Sequence, residues 1–295
     1  MDRLHLMTVY IAVAEEQSFA AAARRLAISA PAVTRAVAAL EESLGVKLLN
    51  RTTRYVRATE AGLRYLDDTR RILAQVQAAD AAAAGINSEP RGHLAITAPV
   101  MFGRLFVMPG IVDYLQRFPN TQVDALFLDR VVNLLEEGLD VGIRIGELAD
   151  SSMRALPVGK VRHIVCASPS YLKQYGIPQS PQDLTAHTII SSSAAQSQTD
   201  WRFNNTSVHI EPRLTVTSND AAIAAVKAGL GVTRLLSYQV AEDLAAGELK
   251  ILLERYEPNP IPVSIVHRQG RFASAKVRAF IDLMAQRLRA DKALN

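Results

Sequence analysis

The chain has 295 residues, 49% of them hydrophobic and 21% charged, with a formal net charge of +4. One core rarely fills that length, so two or three domains are expected, and the composition excludes a disordered chain. The single cysteine, Cys166, excludes an intrachain disulfide and a cysteine-based zinc cluster, and the apolar runs are too short to span a bilayer. The first apolar run is flanked by Asp2, Glu15 and Glu16 and has no small-residue cleavage site, so no signal peptide is read and a cytoplasmic location is expected.

Leu4, Met7, Ile11 and Ala14 recur at helical spacing and predict an amphipathic helix over 2–15. Gln17-Ser18 ends it. Ser18 is a fitting N-cap for a second helix that buries Phe19, Ala22 or Ala23, and Leu26. Ser29 caps a third helix, with Pro31 in its first turn, where a missing N–H costs nothing. Val33, Val37, Leu40 and Leu44 form its buried stripe, and Gly45 stops it. Two short helices around a joint of about three residues make a helix-turn-helix, whose second helix offers its N-terminal end to a major groove. Ala30, Ala32, Thr34 and Arg35 lie off the buried stripe, with Pro31 among them, and so are free to meet base edges. The helix N-termini at Ser18 and Ser29 offer free N–H groups to phosphates.

"VKLLNRTTRYVRAT" then alternates apolar and polar residues around Asn50-Arg51-Thr52 and reads as two short strands forming a wing. Arg51, Arg54 and Arg57 would follow the DNA backbone or enter the minor groove. Residues 1–59 hold eight basic and five acidic groups, and Ser43–Thr59 holds four basic groups and no acid. A basic patch at one end of a nearly neutral chain suggests a polyanion partner there, the alternative on charge alone being a solvated basic face; with the helix-turn-helix beside it, that partner is expected to be double-stranded DNA. The plain alternative is a small helical domain with a solvated basic hairpin.

"FAAAARRLAISAPAVTRAVAALEESLGVKLLNRTTRYVRATEAG" resembles, without a gap, the N-terminal domain of LysR-type transcriptional regulators. The resemblance implies a prokaryotic winged helix-turn-helix regulator that binds an operator. It also implies a long dimerisation helix, then a two-lobed α/β effector domain resembling periplasmic binding proteins. Dimers or tetramers, and an output on RNA polymerase access, are implied with it. Three residues depart from the family pattern. Ala30 stands where a base-reading glutamine is usual, Thr34 where serine is common, and Ala58 where leucine is common.

Thr59 and Glu60 open a further helix that nothing interrupts between Gly62 and Gly85. About 25 residues at 1.5 Å each make a rod of roughly 38 Å. Leu66, Leu73, Val76 and Ala83 follow the spacing of a two-helix seam, the alternative being a lone surface helix. "GINSEPRG" reads as a hinge. The expected domains are 1–59 for DNA, 60–89 for the linker helix and hinge, and 90–295 for the effector.

From His93 onward strands and helices alternate, which argues for parallel or mixed open sheets and an α/β class for the whole chain. "HLAITAPV", "TQVDALFLD", "DVGIRIG", "VRHIVCAS" and "IPVSIVHR" read as strands. "GRLFVMPGIVDYLQRFP", "VVNLLEEGL", "PSYLKQYG" and "SAKVRAFIDLMAQRLRA" read as helices, and "RLTVTSNDAAIAAVKAGLGVTRL" as strand, helix, strand. The resemblance places one lobe at about 90–161 plus 268–295, and the other at about 162–267.

Ligands in open α/β sheets sit beyond strand C-ends. Pro99, Val100, Met101, Phe102, Asp129, Arg144, Gly146, Ser218, Asn219, Thr233 and Arg234 are the resulting effector candidates, beside Ser191–Ser193. N–H groups with Arg144 or Arg234 suit a small organic anion, and Val100, Met101 and Phe102 an apolar portion of it. The six histidines lack ligand spacing, no G-x-S-x-G elbow or P-loop occurs, and "GLGVTR" lacks the third glycine of a dinucleotide fingerprint. No enzyme, cofactor or metal is expected. The expected function is an effector-modulated DNA-binding regulator. The alternative is a cytoplasmic solute-binding receptor whose basic end is only an electrostatic anchor.

Overall fold

The structure, a computed structural model, describes residues 2–51, 56–83, 89–148, 153–192, 199–268 and 274–294. The chain divides into two units, Met1–Ser88 and Glu89–Asn295.

Caps and left-handed stops delimit the first helices. α1 (Arg3–Glu16) ends at Gln17, which takes φ 50°. α2 (Phe19–Arg25) opens on Ser18, whose Oγ accepts from the Ala21 N–H. α3 (Ala30–Leu44) opens on Ser29, whose Oγ accepts from the Ala32 N–H, and it ends at Gly45 with φ 67°. These are the expected caps. β1 (Leu49–Arg51) pairs antiparallel with β2 (Val56–Ala58), and α4 (Glu60–Ala83) follows with Thr59 Oγ1 accepting from the Gly62 N–H. Val33, Val37 and Leu40 are fully buried against Val9, Tyr10, Val13 and Ala22.

Two expectations shift here. On α1 the buried face is Leu6, Val9, Tyr10 and Val13, while Leu4, Ile11 and Ala14 are half-buried and only Met7 is buried from the expected stripe. Leu4–Ala14 is apolar nearly all round, so periodicity alone does not select a face. Packing against α2, α3 and α4 does. On α4, Leu66 is buried in its own chain's core, so it is not a free member of a seam. Leu73 and Val76 are half-buried, Leu63 and Ile72 are exposed, and the Ala83 side chain lies outside the described residues.

The second unit contains two five-stranded mixed sheets. β3 (Gly92–Ala98) leads to α5 (Val100–Phe102), which runs through a π-helical stretch, Gly103–Val107, into α6 (Met108–Arg117). β4 (Thr121–Phe127), β5 (Val141–Ile145) and β6 (Met153–Val161) complete the outward path. The chain then enters the other sheet through β7 (His163–Ala167), α7 (Pro169–Tyr175) and β8 (Ile189–Ser192). A hairpin of β9 (Asp200–Arg202) and β10 (Ser207–His209) precedes β11 (Pro212–Val216), α8 (Asn219–Lys227) and β12 (Val232–Leu236). α9 (Ala241–Ala245) and β13 (Lys250–Leu252) follow, then β14 (Ile261–Arg268) and α10 (Ala275–Ala290). The sheet orders are β4-β3-β5-β14-β6 and β11-β8-β12-β7-β13.

β14 pairs with β5 and β6 along its length, so the chain returns to the first sheet ahead of Ile261, not at about 268 as expected. The expected helix over 131–139 is a set of turns. There the Asn133 side chain accepts from the Leu135 N–H and Gly138 takes φ 67°, which curls the backbone after a single turn. Both passages between sheets are braced together. Arg162, between β6 and β7, pairs with Glu257, just ahead of β14, at 2.8 Å. Burial pushes the Glu257 carboxyl up, although Arg162 pulls it down.

Candidate nucleic-acid interface and effector cleft

In the first unit, burying Val33, Ala36, Val37 and Leu40 turns the rest of α3 outward. Ser29, Ala30, Pro31, Thr34 and Arg35 are exposed, and Ala32 is half-buried. These residues gather at the N-terminal end of α3, as expected from their spacing. The Thr34 hydroxyl donates to the Ala30 carbonyl at 3.1 Å, which leaves its methyl and an acceptor lone pair for a partner. Arg35 has no carboxylate within ion-pair distance among the described residues. Arg25, by contrast, is neutralised by Glu15 at 2.7 Å and Glu16 at 3.4 Å, and Glu15 also takes Arg70 of α4 at 2.7 Å. Burial would raise the Glu15 carboxyl, but the bonds from Arg70 and Arg25 outweigh it and hold the group below its usual value. Arg57 is exposed on β2. Arg54 and the Arg51 side chain lie outside the described residues. Ser18 is half-buried and its Oγ is engaged in capping.

One group at this site escaped the spacing argument. Glu41, on the last turn but one of α3, is only 3% exposed. A carboxylate within an alanine-rich amphipathic helix reads as solvated. Its burial becomes visible only when the backbone of 47–49 folds back onto it.

In the second unit several of the expected effector residues are buried or already engaged by the protein. Pro99 and Val100 lie at the start of α5, and the Val100 N–H donates to Asp129 Oδ1 at 3.0 Å. The helix start proposed for a ligand carboxylate therefore already holds one from the protein. Met101 and Phe102 are corrected from cleft mouth to core. Both are buried, and the Phe102 ring lies 4.7 Å from Phe106 and 5.3 Å from Tyr238. Tyr238 comes from the second sheet's side, so this aromatic cluster joins the two lobes. Arg104 and Asp220 add an exposed ion pair between them at 3.2 Å.

Thr233 and Arg234 are neighbours on β12, so their side chains point to opposite faces. Thr233 is fully buried and donates to the Ile190 carbonyl. Arg234 donates to the Arg202 carbonyl and lies over the Phe203 ring. Burial lowers its guanidinium to about 10. The pair therefore does not line one cleft. Ser218 caps α8 through the Ala221 N–H, and Asn219 is half-buried beside it. Gly146 takes φ 125° and donates its N–H to the Pro262 carbonyl. Ser191 is buried, and Ser193 lies outside the described residues. Arg144 is half-buried and donates to the Val132 carbonyl at 2.7 Å. Desolvation lowers its guanidinium, with Glu137 opposing. Cys166 is fully buried and its thiol is pushed up to about 12 by desolvation, so it is chemically quiet at neutral pH.

A winged helix-turn-helix joined in one chain to a two-lobed α/β domain defines a transcriptional regulator with an effector-binding domain. Residues 4–63 match the bacterial regulatory helix-turn-helix protein, lysR family, and residues 87–289 match the LysR substrate binding domain. The chain belongs to the LysR family of transcriptional regulators. It is 34% identical over 289 residues to the transcriptional activator AaeR of Escherichia coli K12, covering 96% of this chain and 93% of that one. It is 31% identical over 286 residues to the regulator CrgA of Neisseria meningitidis, covering 96% of each. The solved structure of CrgA superimposes with a TM-score of 0.62, covering 96% of this chain and 98% of CrgA. Full-length AphB, the Vibrio cholerae virulence activator, matches with a TM-score of 0.62 at 25% identity, covering 97% of this chain and 99% of AphB. No helix among the described residues is long and apolar enough to cross a membrane.

Proposed function

We propose that α3 enters a major groove and reads bases through Ala30, Ala32, Thr34 and Arg35, while the β1–β2 hairpin follows the adjoining backbone through Arg51, Arg54 and Arg57. The observation that carries this reading is the exposed N-terminal end of α3, capped by Ser29, beside a stretch of basic residues without an acid. Two copies paired along α4 would present two recognition helices to two half-sites, with tetramers built from such dimers. The effector sets their spacing and thereby the access of RNA polymerase. The chain works wherever its DNA is, the cytoplasm of a bacterial cell, and carries no catalytic role.

The effector is proposed to be a small organic anion held between the lobes. Arg144 favours it. Among the described residues no carboxylate pairs with this half-buried cation, so an added anion relieves its desolvation.

The test uses duplex DNA selected by the full-length protein from a random-sequence pool. Arg35→Ala should flatten the preference at one position of the half-site while sparing non-specific affinity. Arg57→Ala should weaken all duplexes alike and reduce the slope of log K against log salt by about one. If the two variants behave alike, the assignment of roles is wrong. A panel of small carboxylates should shift the parent's melting temperature, and Arg144→Ala should abolish the shift. An unchanged shift removes Arg144 from the site.

A further inference from the structure

We infer that Glu41 is a positioning residue for DNA binding: its buried carboxylate sets the wing against the recognition helix. The inference rests on the proposed backbone contacts of the wing. Glu41 belongs to α3, yet among the described residues its carboxylate accepts from Lys47, Leu48 and Leu49, all beyond the end of that helix. Its Oε1 accepts from two successive backbone donors, the Leu48 N–H at 2.9 Å and the Leu49 N–H at 3.0 Å. Its Oε2 accepts from Lys47 Nζ at 2.9 Å. Lys47 is 76% exposed, so that ion pair contributes little by itself. The two amides are different. They are buried donors with no helix or ladder to serve at the point where the chain turns into β1. Without the carboxylate they would carry the cost of unpaired buried polar groups.

The same short segment is held from its other side by α4. Thr59 Oγ1 donates to the Lys47 carbonyl at 2.8 Å, and the Thr59 N–H donates to the Leu48 carbonyl at 2.9 Å. A side chain on Gly62 would start 2.1 Å from the Leu48 carbonyl oxygen. Residues 47–49 are thus clamped between the recognition helix and the linker helix, and Glu41 is the recognition-helix jaw. Leu49 opposes Ala58 and Asn50 opposes Arg57 across the hairpin. The placement of Leu49 therefore fixes where Arg57 stands relative to Arg35. Burial would raise the Glu41 carboxyl, but Lys47 and the Leu49 and Leu48 amides together hold it below its usual value. It stays ionised through the neutral range, and charge-assisted bonds to two amides are stronger than neutral ones.

Two variants of nearly equal volume separate acceptor from filler. Glu41→Met fills the space with no acceptor, and Glu41→Gln keeps a neutral oxygen. On a selected duplex, E41M should bind about thirtyfold more weakly, with a salt slope lower by about one to two. E41Q should lose about three- to tenfold. Both should keep the parent's half-site preference, because the tip of α3 is untouched. Hydrogen exchange at the Leu48 and Leu49 amides should speed up in step with the loss, while the α3 amides stay protected. Parental affinity and slope in a folded E41M overturn the role, as does a changed half-site preference. Should E41M lack a cooperative melt, E41Q decides alone. Weaker binding and faster exchange at those two amides must then appear together, and either without the other, or neither, overturns the role. Arg57→Ala, measured alongside, distinguishes the two failures. Parental binding by R57A sinks the wing contact and the consequence drawn from it, whereas weakened R57A beside parental E41M sinks only the role of Glu41.

Discussion

The two units place their candidate sites in opposite relations to their cores. In Met1–Ser88 the expected DNA-contacting residues of α3 stand outside the buried stripe, and Arg35 and Thr34 project from a helix whose other face is packed. In Glu89–Asn295 several expected effector residues are themselves core: Met101, Phe102 and Thr233 are buried. A helix that buries one stripe frees the remainder, so the exposed set follows from the buried one. A strand end offers no such guarantee. Its side chains alternate, and which alternate faces a cleft depends on pairing with strands far away in sequence.

Phe102→Ala is the strongest way to break that contrast. As a fully buried ring against Phe106 and Tyr238, its loss should cost about 4 kcal/mol and lower the melting of the effector unit. DNA affinity of the first unit should be unchanged. Calorimetry with a binding assay checks both. A parental melt with lost effector response would return Phe102 to the cleft and remove the contrast.

Gly62→Ala asks whether the first unit also hides a constraint. In an ordinary helix the change would add about 1 kcal/mol of stability. Here the new Cβ meets the Leu48 carbonyl at 2.1 Å, backbone that is held by Thr59. The expected outcome is a loss of about 3 kcal/mol. Gly231→Ala, at 2.2 Å from the Thr188 carbonyl, should act likewise in the second unit. A stabilised G62A would mean that α4 moves away freely, and the clamp on 47–49 would dissolve.

Much of the first unit was legible because its signals are local. Ser18, Ser29 and Gly45 act within a few residues of themselves, and the wing alternates within one hairpin. Glu41 was not legible, since its burial comes from backbone that folds onto it after the helix has ended. The second unit was legible as alternating elements, and most of its strands fell where apolar runs lie. Its registers were not. β14 joins β5 across more than a hundred residues, and 131–139 carries a helical apolar pattern that Asn133 and Gly138 override. The sites follow suit: the exposed tip of α3 follows from its buried stripe, whereas a strand end that offers Thr233 and Arg234 together does not tell that their side chains part to opposite faces.

Acid should separate the units as well. Burial, with the Arg234 charge adding to it, lowers His163 to about 4 from an ordinary 6.5. In the unfolded chain this imidazole takes up its proton near 6.5, and in the folded unit only near 4. Stability is thus complete above 6.5 and declines as pH falls through that value, by about 2–3 kcal/mol on reaching 4. Glu15 and Glu41 are depressed carboxylates, so the first unit loses their contribution only below 4.5. Between pH 6.5 and 4.5 the effector unit should soften first. His163→Asn should flatten its melting temperature over that window, and an unaltered pH profile in H163N would show that the imidazole takes up its proton alike in the folded and the unfolded chain.

The smallest expected effect lies at the helix-turn-helix joint. Ala27 takes φ 53°, a left-handed conformation that a Cβ penalises by about 1–2 kcal/mol. Its N–H donates to the Arg24 carbonyl and the next N–H, of Ile28, to the Ala23 carbonyl, so the turn is held from both sides. The side chain is exposed, and removing it forfeits no packing. Ala27→Gly relieves the strain but frees the unfolded chain, which costs about 0.5–1 kcal/mol. The balance is a gain of about 0.5 kcal/mol, or a melting temperature of the first unit higher by about 2–4 °C. Operator affinity should stay put, because the caps at Ser18 and Ser29, not the Ala27 methyl, fix the angle between α2 and α3. A lower melting temperature together with weaker operator binding would show the reverse. The methyl would then be restricting the joint, and the local signals that made this unit legible would include a strained alanine.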